Sequence, residues 1–324
     1  MPREDGGADR TKAAPRAKKR ARPKRKWGIR GSVSVPRSSF EELEIHTSDG
    51  AVLRALVDDP PEGVALRGTV VLAHAMFARK SSFGLRDRPG LSSALAARGF
   101  RTVAFDFRGH GDSTPPRSGD WGYDDLVRQD LPAVVESARS RGDDKPVVVL
   151  GHSLGGHAAL AAQGTSRIAA DAIVAVGANV WLRELERSRL RWAAKSALAR
   201  AVLAISARAH GIPASRFRVG TDDAPERCLD DLFRGVTQGA WRSRDGSDDY
   251  LAALALVRAP VAAVLGDVDI LHCPPSIGEA FARRCRGPVA IFRAPVGHMQ
   301  LVTSARARPA VLDAIEWVFA QLRP

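Results

Sequence analysis

Cysteine and tyrosine are scarce in this chain of 324 residues, with three of the first and two of the second. Three thiols, Cys228, Cys273 and Cys285, cannot all pair, and their spacing fits no metal-ligand pattern. Neither a disulfide framework nor a cysteine-held metal is therefore expected to organise the fold, and a reducing compartment, hence a cytoplasmic location, is the simpler reading. No apolar run approaches the roughly 20 residues that span a bilayer. The N-terminus is basic but lacks the apolar stretch that follows the charge in a secretory signal peptide. Acidic residues fall short of basic ones, 36 against 49, yet the deficit is local. Residues 1–37 hold 13 Lys and Arg against 3 Asp and Glu, a net of +10 out of the chain's +13. This tail has almost no large apolar side chains, so it cannot build a core and is expected to be disordered. It is a candidate contact for an anionic surface, nucleic acid or membrane. The remaining body is close to neutral and has no interleaving of basic and aromatic residues, which argues against a nucleic-acid module.

What the body does contain is a rhythm. From Thr69 onward, strand-like apolar runs alternate with helical ones: strand 69–73, helix 89–98, strand 101–107, helix 122–140, strand 146–150, helix 154–162 and strand 171–177. That order predicts a mostly parallel sheet with helices on both faces. Two earlier runs, 42–47 and 52–58, flank Ser48-Asp49-Gly50 and read as an antiparallel hairpin at the sheet edge.

The most informative stretch is Gly151-His152-Ser153-Leu154-Gly155-Gly156, placed between a strand and an alanine-rich helix. Gly-x-Ser-x-Gly in that setting describes a nucleophile elbow, in which a strained turn lifts the serine hydroxyl clear of the backbone. Small residues are needed at 151 and 155 because strand and helix close on each other there. The Leu154 N–H then opens a helix, where negative charge is favoured. Such an elbow needs an acid after a later strand and a histidine near the C-terminus. The run 261–265 ends in Gly266-Asp267-Val268-Asp269; Asp269, further along the loop, is preferred, with Asp267 as a turn residue. His298 follows the run 288–292 and precedes a closing helix over 309–322, whereas His272 lies too near Asp269 to act as an independent base. A second oxyanion donor is expected after strand 69–73, from the Met76 N–H, with Phe77 as the alternative. His110 and Trp181 are further pocket candidates, together with Phe77. His152 and His157 read as packing or solvent residues. Asp106 and Asp112 read as partners for Arg108 or for backbone N–H groups.

These motifs, with Asp106-Phe107-Arg108-Gly109-His110-Gly111-Asp112-Ser113, make the chain resemble the α/β-hydrolase superfamily over about residues 40–322. Within it the chain is similar to serine esterases and monoacylglycerol-lipase-like enzymes. The resemblance implies an α/β-hydrolase fold and an acyl-enzyme mechanism with Ser153, Asp269 and His298 as triad, needing no metal or cofactor. One departure is Ala75, where the superfamily usually has glycine after His74; it bears on the oxyanion hole at Met76.

Between Asn179 and Ala259 the strand rhythm stops, and 181–248 reads as a helical cap between core segments 38–180 and 249–324. Leu190, Ala194, Leu198, Ala201, Val202 and Ile205 recur at helical spacing and predict one apolar face. The half 181–218 carries a net of +7 and the half 219–250 a net of −4, consistent with pairing between them. The expected activity is hydrolysis of a small-molecule carboxylic ester or thioester. The alternatives are acyl transfer by the same triad and a non-catalytic binding protein.

Overall fold

Val, Ile, Leu and Ala fill the central strands because those strands are covered on both faces. The computed structural model describes residues 40–84, 89–115, 119–141, 144–216, 218 and 220–323. The expectation for the tail 1–37 lies outside the described residues. Eight strands form one sheet: β1 Glu41–His46, β2 Val52–Asp58, β3 Gly68–Ala73, β4 Phe100–Phe105, β5 Val147–His152, β6 Ala172–Val176, β7 Val261–Gly266 and β8 Val289–Ala294. Their spatial order is β1-β2-β4-β3-β5-β6-β7-β8. β1, β2 and β4 pair antiparallel, and every other pair is parallel. β3, β5, β6 and β7 are buried along their whole length.

The helices used below are α1 Leu91–Ala96, α2 Tyr123–Ser140 with a π turn over Leu126–Asp130, and α3 Leu154–Gly164. They are followed by α4 Arg189–Ala209, α5 Glu226–Thr237, α6 Pro275–Ala282 and α7 Arg308–Gln321. One apolar cluster joins one sheet face to α2, α3 and α6 through residues such as Val71, Val149, Leu131, Leu160 and Phe281. A second joins the other face to α1 and α7 through Val70, Leu150, Leu95 and Ile315. Both faces are thus sealed, and polar chemistry is left to the loops at the strands' C-terminal ends.

The chain leaves the sheet after β6 and returns at β7. The excursion holds α4, α5 and a short ladder between Gly211–Ile212 and Ala224–Pro225. It has its own small cluster, including Ala199, Ile212, Leu229 and Phe233, against which Met76, Phe77 and Trp181 pack. The apolar stripe expected on α4 is only partly covered: Val202 is half-buried, and Leu198 and Val202 line the cavity described below. Leu190, Leu198 and Ile205 are 83%, 41% and 46% exposed, and the buried positions are Lys195, Ser196, Ala199 and Ser206. On the buried side, Lys195 Nζ lies 3.1 Å from Glu186 Oε2 with both side chains nearly sealed from water. Its ammonium also sits 5.5 Å over the Trp181 ring. Among the described residues no helix is long and apolar enough to cross a membrane.

Candidate active site

Ser153 stands between β5 and α3 at φ 52°, ψ −111°, a left-handed conformation that costs a residue with a side chain on the order of 1–3 kcal/mol. Close packing holds it there. A Cβ on Gly151 would lie 2.4 Å from the Gly155 carbonyl carbon, and one on Gly155 would lie 2.4 Å from the Ala73 oxygen. The Ser153 N–H donates to the Val176 carbonyl at 2.8 Å, and the Gly155 N–H to the His74 carbonyl at 3.1 Å. The elbow is therefore tied to the strand on each side of it.

Asp269 follows β7 and His298 follows β8. His298 Nδ1 lies 2.6 Å from Asp269 Oδ2. The carboxylate also accepts from the His272 N–H at 3.0 Å and the Cys273 N–H at 3.1 Å. Burial opposes its ionisation, but the His298 bond and charge with the Cys273 N–H outweigh that and hold its pKa below the usual range. Asp267 faces outward instead, in an ion pair with Arg293.

Ser153 and His298 line one cavity of about 500 Å³. Met76, Phe77, Leu154 and Trp181 line it as well, with apolar side chains from the excursion such as Leu198 and Phe233. His110 does not. It is buried behind His74, with ring centroids 5.0 Å apart, and against Trp121 at 5.7 Å. The motif Arg108-Gly109-His110 serves the loop and not the cavity wall. Arg108 is fully buried, with Nε 2.8 Å from Asp130 Oδ1 and Nη1 2.6 Å from Asp49 Oδ2. Asp106 and Asp112 pair with Lys80 rather than with Arg108. Asp106 also accepts from the Lys80 and Asp112 N–H groups.

The loop after β3 explains how Ala75 is accommodated. Residues 75–78 form a turn closed by the Ala78 N–H on the Ala75 carbonyl, and the positive φ falls on Phe77, at 61°. Ala75 thus escapes the conformation that demands glycine. His74 braces this loop. Its Nδ1 bonds the Ala75 carbonyl at 2.8 Å and its Nε2 accepts the Phe107 N–H at 3.0 Å. Burial and the neighbouring His110 push its pKa down to about 3, so it stays neutral and keeps both bonds.

Several residues here were not singled out by sequence as part of a site. His152, the variable elbow residue, hydrogen-bonds the His298 carbonyl through Nε2 at 3.1 Å and packs its ring 5.1 Å from the His298 ring. The His272 ring centroid lies 4.8 Å from that of His298, and the ring stacks on Trp181 at 6.3 Å. Trp181 in turn donates its Nε1–H to the His272 carbonyl at 3.2 Å. His157 and Asn179 line the cavity. Only the spacing of histidines near the elbow pointed toward any of these. Among the described residues no group of three or more His, Cys, Asp or Glu is set to hold a metal ion.

A mostly parallel eight-stranded sheet, helices on both faces and a serine elbow after β5 define an α/β hydrolase. Residues 65–288 match the model of the family described as serine aminopeptidase, S33, and the chain belongs to that family. Among solved structures the chain is similar to a hydrolase from Pseudomonas aeruginosa PA01, at 21% identity and a TM-score of 0.57, covering 85% of this chain and 98% of that one. It is similar to the Pyrococcus furiosus esterase Pf2001 at 18% identity and a TM-score of 0.57, covering 86% and 91%. It is also similar to Est1E from Butyrivibrio proteoclasticus, solved with ferulic acid bound, at 17% identity and a TM-score of 0.55, covering 86% and 99%. Identities this low show a shared fold. No curated protein matches.

Proposed function

We propose that this chain is a serine hydrolase that cleaves carboxylic esters through Ser153, His298 and Asp269. The observation that carries this reading is convergence: Ser153 and His298 border one cavity, and His298 Nδ1 is 2.6 Å from the buried Asp269 carboxylate. With Nδ1–H donating to Asp269, Nε2 of His298 is free to take the Ser153 proton as the hydroxyl attacks the carbonyl carbon. The Leu154 and Met76 N–H groups receive the oxyanion, each worth on the order of 10²–10³ in rate. The leaving alcohol takes the proton back from His298, and water activated by the same imidazole then releases the acid.

The cavity wall favours esters over peptides with a free N-terminus. Among its described lining residues there is no Asp or Glu, so an α-ammonium group would find no anion there. Residues 181–248 act as the cap, supplying Leu198, Val202 and Phe233 to the wall over a core of 38–180 and 249–324. Three buried thiols suit a reducing cytoplasm. The test is turnover of a chromogenic ester series by the full chain and by Ser153→Ala. We expect the variant to lose at least about 10³-fold in kcat. Equal rates in the two proteins would rule the reading out.

A further inference from the structure

A cavity that merely held an alkyl chain would have an apolar wall throughout. Leu198, Val202, Ile212, Leu232 and Phe233 supply such a wall, but Asn179, His157 and His272 interrupt it, and the triad chemistry uses none of the three. Asn179 is 8% exposed, and its Nδ2 has no hydrogen-bond partner among the described residues. A buried amide without a partner is a destabilising feature that calls for an explanation.

His157 is 5% exposed. Its Nδ1 lies 2.9 Å from the Tyr123 hydroxyl. Burial, with Tyr250 beside it, raises the Tyr123 phenol well above its ordinary range, so the phenol keeps its proton and can donate it to Nδ1. Burial and the charge of His298 depress the His157 imidazole to about 3, so the ring is neutral. With the phenol as donor, the ring's single proton sits on Nε2, which makes no hydrogen bond among the described residues. Both groups line the same cavity, one from α3 and the other from the loop after β6, and these two segments approach closely. A Cβ on Gly156 would stand 2.6 Å from the Ala178 Cβ, and one on Gly177 would stand 3.3 Å from the His298 ring. Asn179 and His157 are the next residues along these two touching segments, beside the reacting groups.

We propose that Asn179 and His157 form a subsite for a neutral oxygen, a hydroxyl or keto group, on the chain that the substrate seats in the cavity. This rests on the esterase reading and narrows it to oxygenated esters. The oxygen is neutral because the described lining includes no Lys or Arg, and a carboxylate held only by neutral donors would lose more hydration than it regains.

The test is kcat/KM by proton release on the full chain, using matched ester pairs with and without a hydroxyl or keto group. One arm places the oxygen along the acyl chain and the other along the alcohol chain. The expected result is a preference of about 10–100-fold for the oxygenated ester in one arm. In Asn179→Leu and in His157→Phe, shown to be folded by thermal unfolding, the ratio falls toward one. Ratios near one in both arms of the unmodified protein overturn the proposal, as does a preference that survives both substitutions. A stronger preference for a carboxylated chain overturns the neutral-oxygen assignment. Turnover that depends on Ser153 with flat ratios removes only the subsite; no Ser153-dependent turnover of any ester removes the esterase reading as well.

Discussion

Replacing Asp269 by Asn removes the carboxylate that holds the His298 proton on Nδ1. Oδ2 of Asp269 now accepts from His298 Nδ1 and the Cys273 N–H, and Oδ1 accepts from the His272 N–H. An amide cannot serve both ends. With its oxygen toward Cys273 and His298, its NH₂ opposes the His272 N–H, donor against donor. Turned over, the NH₂ opposes the Cys273 N–H and donates to His298 Nδ1, which moves the imidazole proton to Nε2, the atom that must act as base. Either orientation leaves one backbone donor unsatisfied, a cost of about 1–3 kcal/mol, so the variant folds with an unfolding temperature lower by several degrees. The chemical cost is larger. In the template serine protease, the same substitution lowers kcat about 10⁴-fold, and a loss of that order is expected here. The assay is kcat on a chromogenic ester near neutral pH, with thermal unfolding to establish folding. A folded Asp269→Asn protein within tenfold of the original kcat would refute the tautomer argument.

Three further outcomes follow from the same contacts. Gly155→Ala forces a methyl group to 2.4 Å from the Ala73 oxygen, so urea unfolding should register a loss of about 1–3 kcal/mol, with reduced ester turnover as the Leu154 N–H shifts. His152→Phe keeps a ring against His298 but removes the bond to its carbonyl, worth about 0.5–1.5 kcal/mol; kcat should fall about tenfold with KM little changed, and unchanged kcat would remove His152 from the positioning of His298. Stability should also depend on pH. Burial holds His74, His152 and His157 at about 3, well below the ordinary 6.5, so only the unfolded chain protonates them as pH falls from 6.5 toward 3. Their stabilisation is complete above 6.5 and is lost on acidification, by up to about 1.4 kcal/mol per pH unit for each histidine. Urea midpoints should drop steeply between pH 6.5 and 5, and a flat profile across that span would contradict neutral burial of all three.

The sheet was legible because its central strands are buried on both faces and read as unbroken apolar runs; β3 and β5 lie within a residue or two of the expected positions. That Ser153, Asp269 and His298 follow the C-terminal ends of three strands was legible, because the apolar runs before them mark those strands. Side chains whose roles depend on tertiary neighbours were not legible. His152, His157 and Asn179 look like ordinary residues in sequence, and only the approach of α3 to the β6 loop sets two of them on the cavity wall. His110 read as a pocket residue because it sits in a glycine-rich loop near the site, but packing against His74 and Trp121 turns it inward. The α4 stripe was legible only in part: Leu198 and Val202 line the cavity, whereas Leu190 and Ile205 are exposed and Lys195, paired with Glu186, is buried.

The claim on which the account depends is that Ser153 is a nucleophile activated by His298. A fluorophosphonate probe applied to the full chain, followed by peptide mapping of the adduct, tests it directly. The predicted result is a single adduct on Ser153, suppressed in His298→Ala although that variant keeps the serine. Rapid labelling elsewhere, or labelling of Ser153 at an undiminished rate without His298, would contradict it.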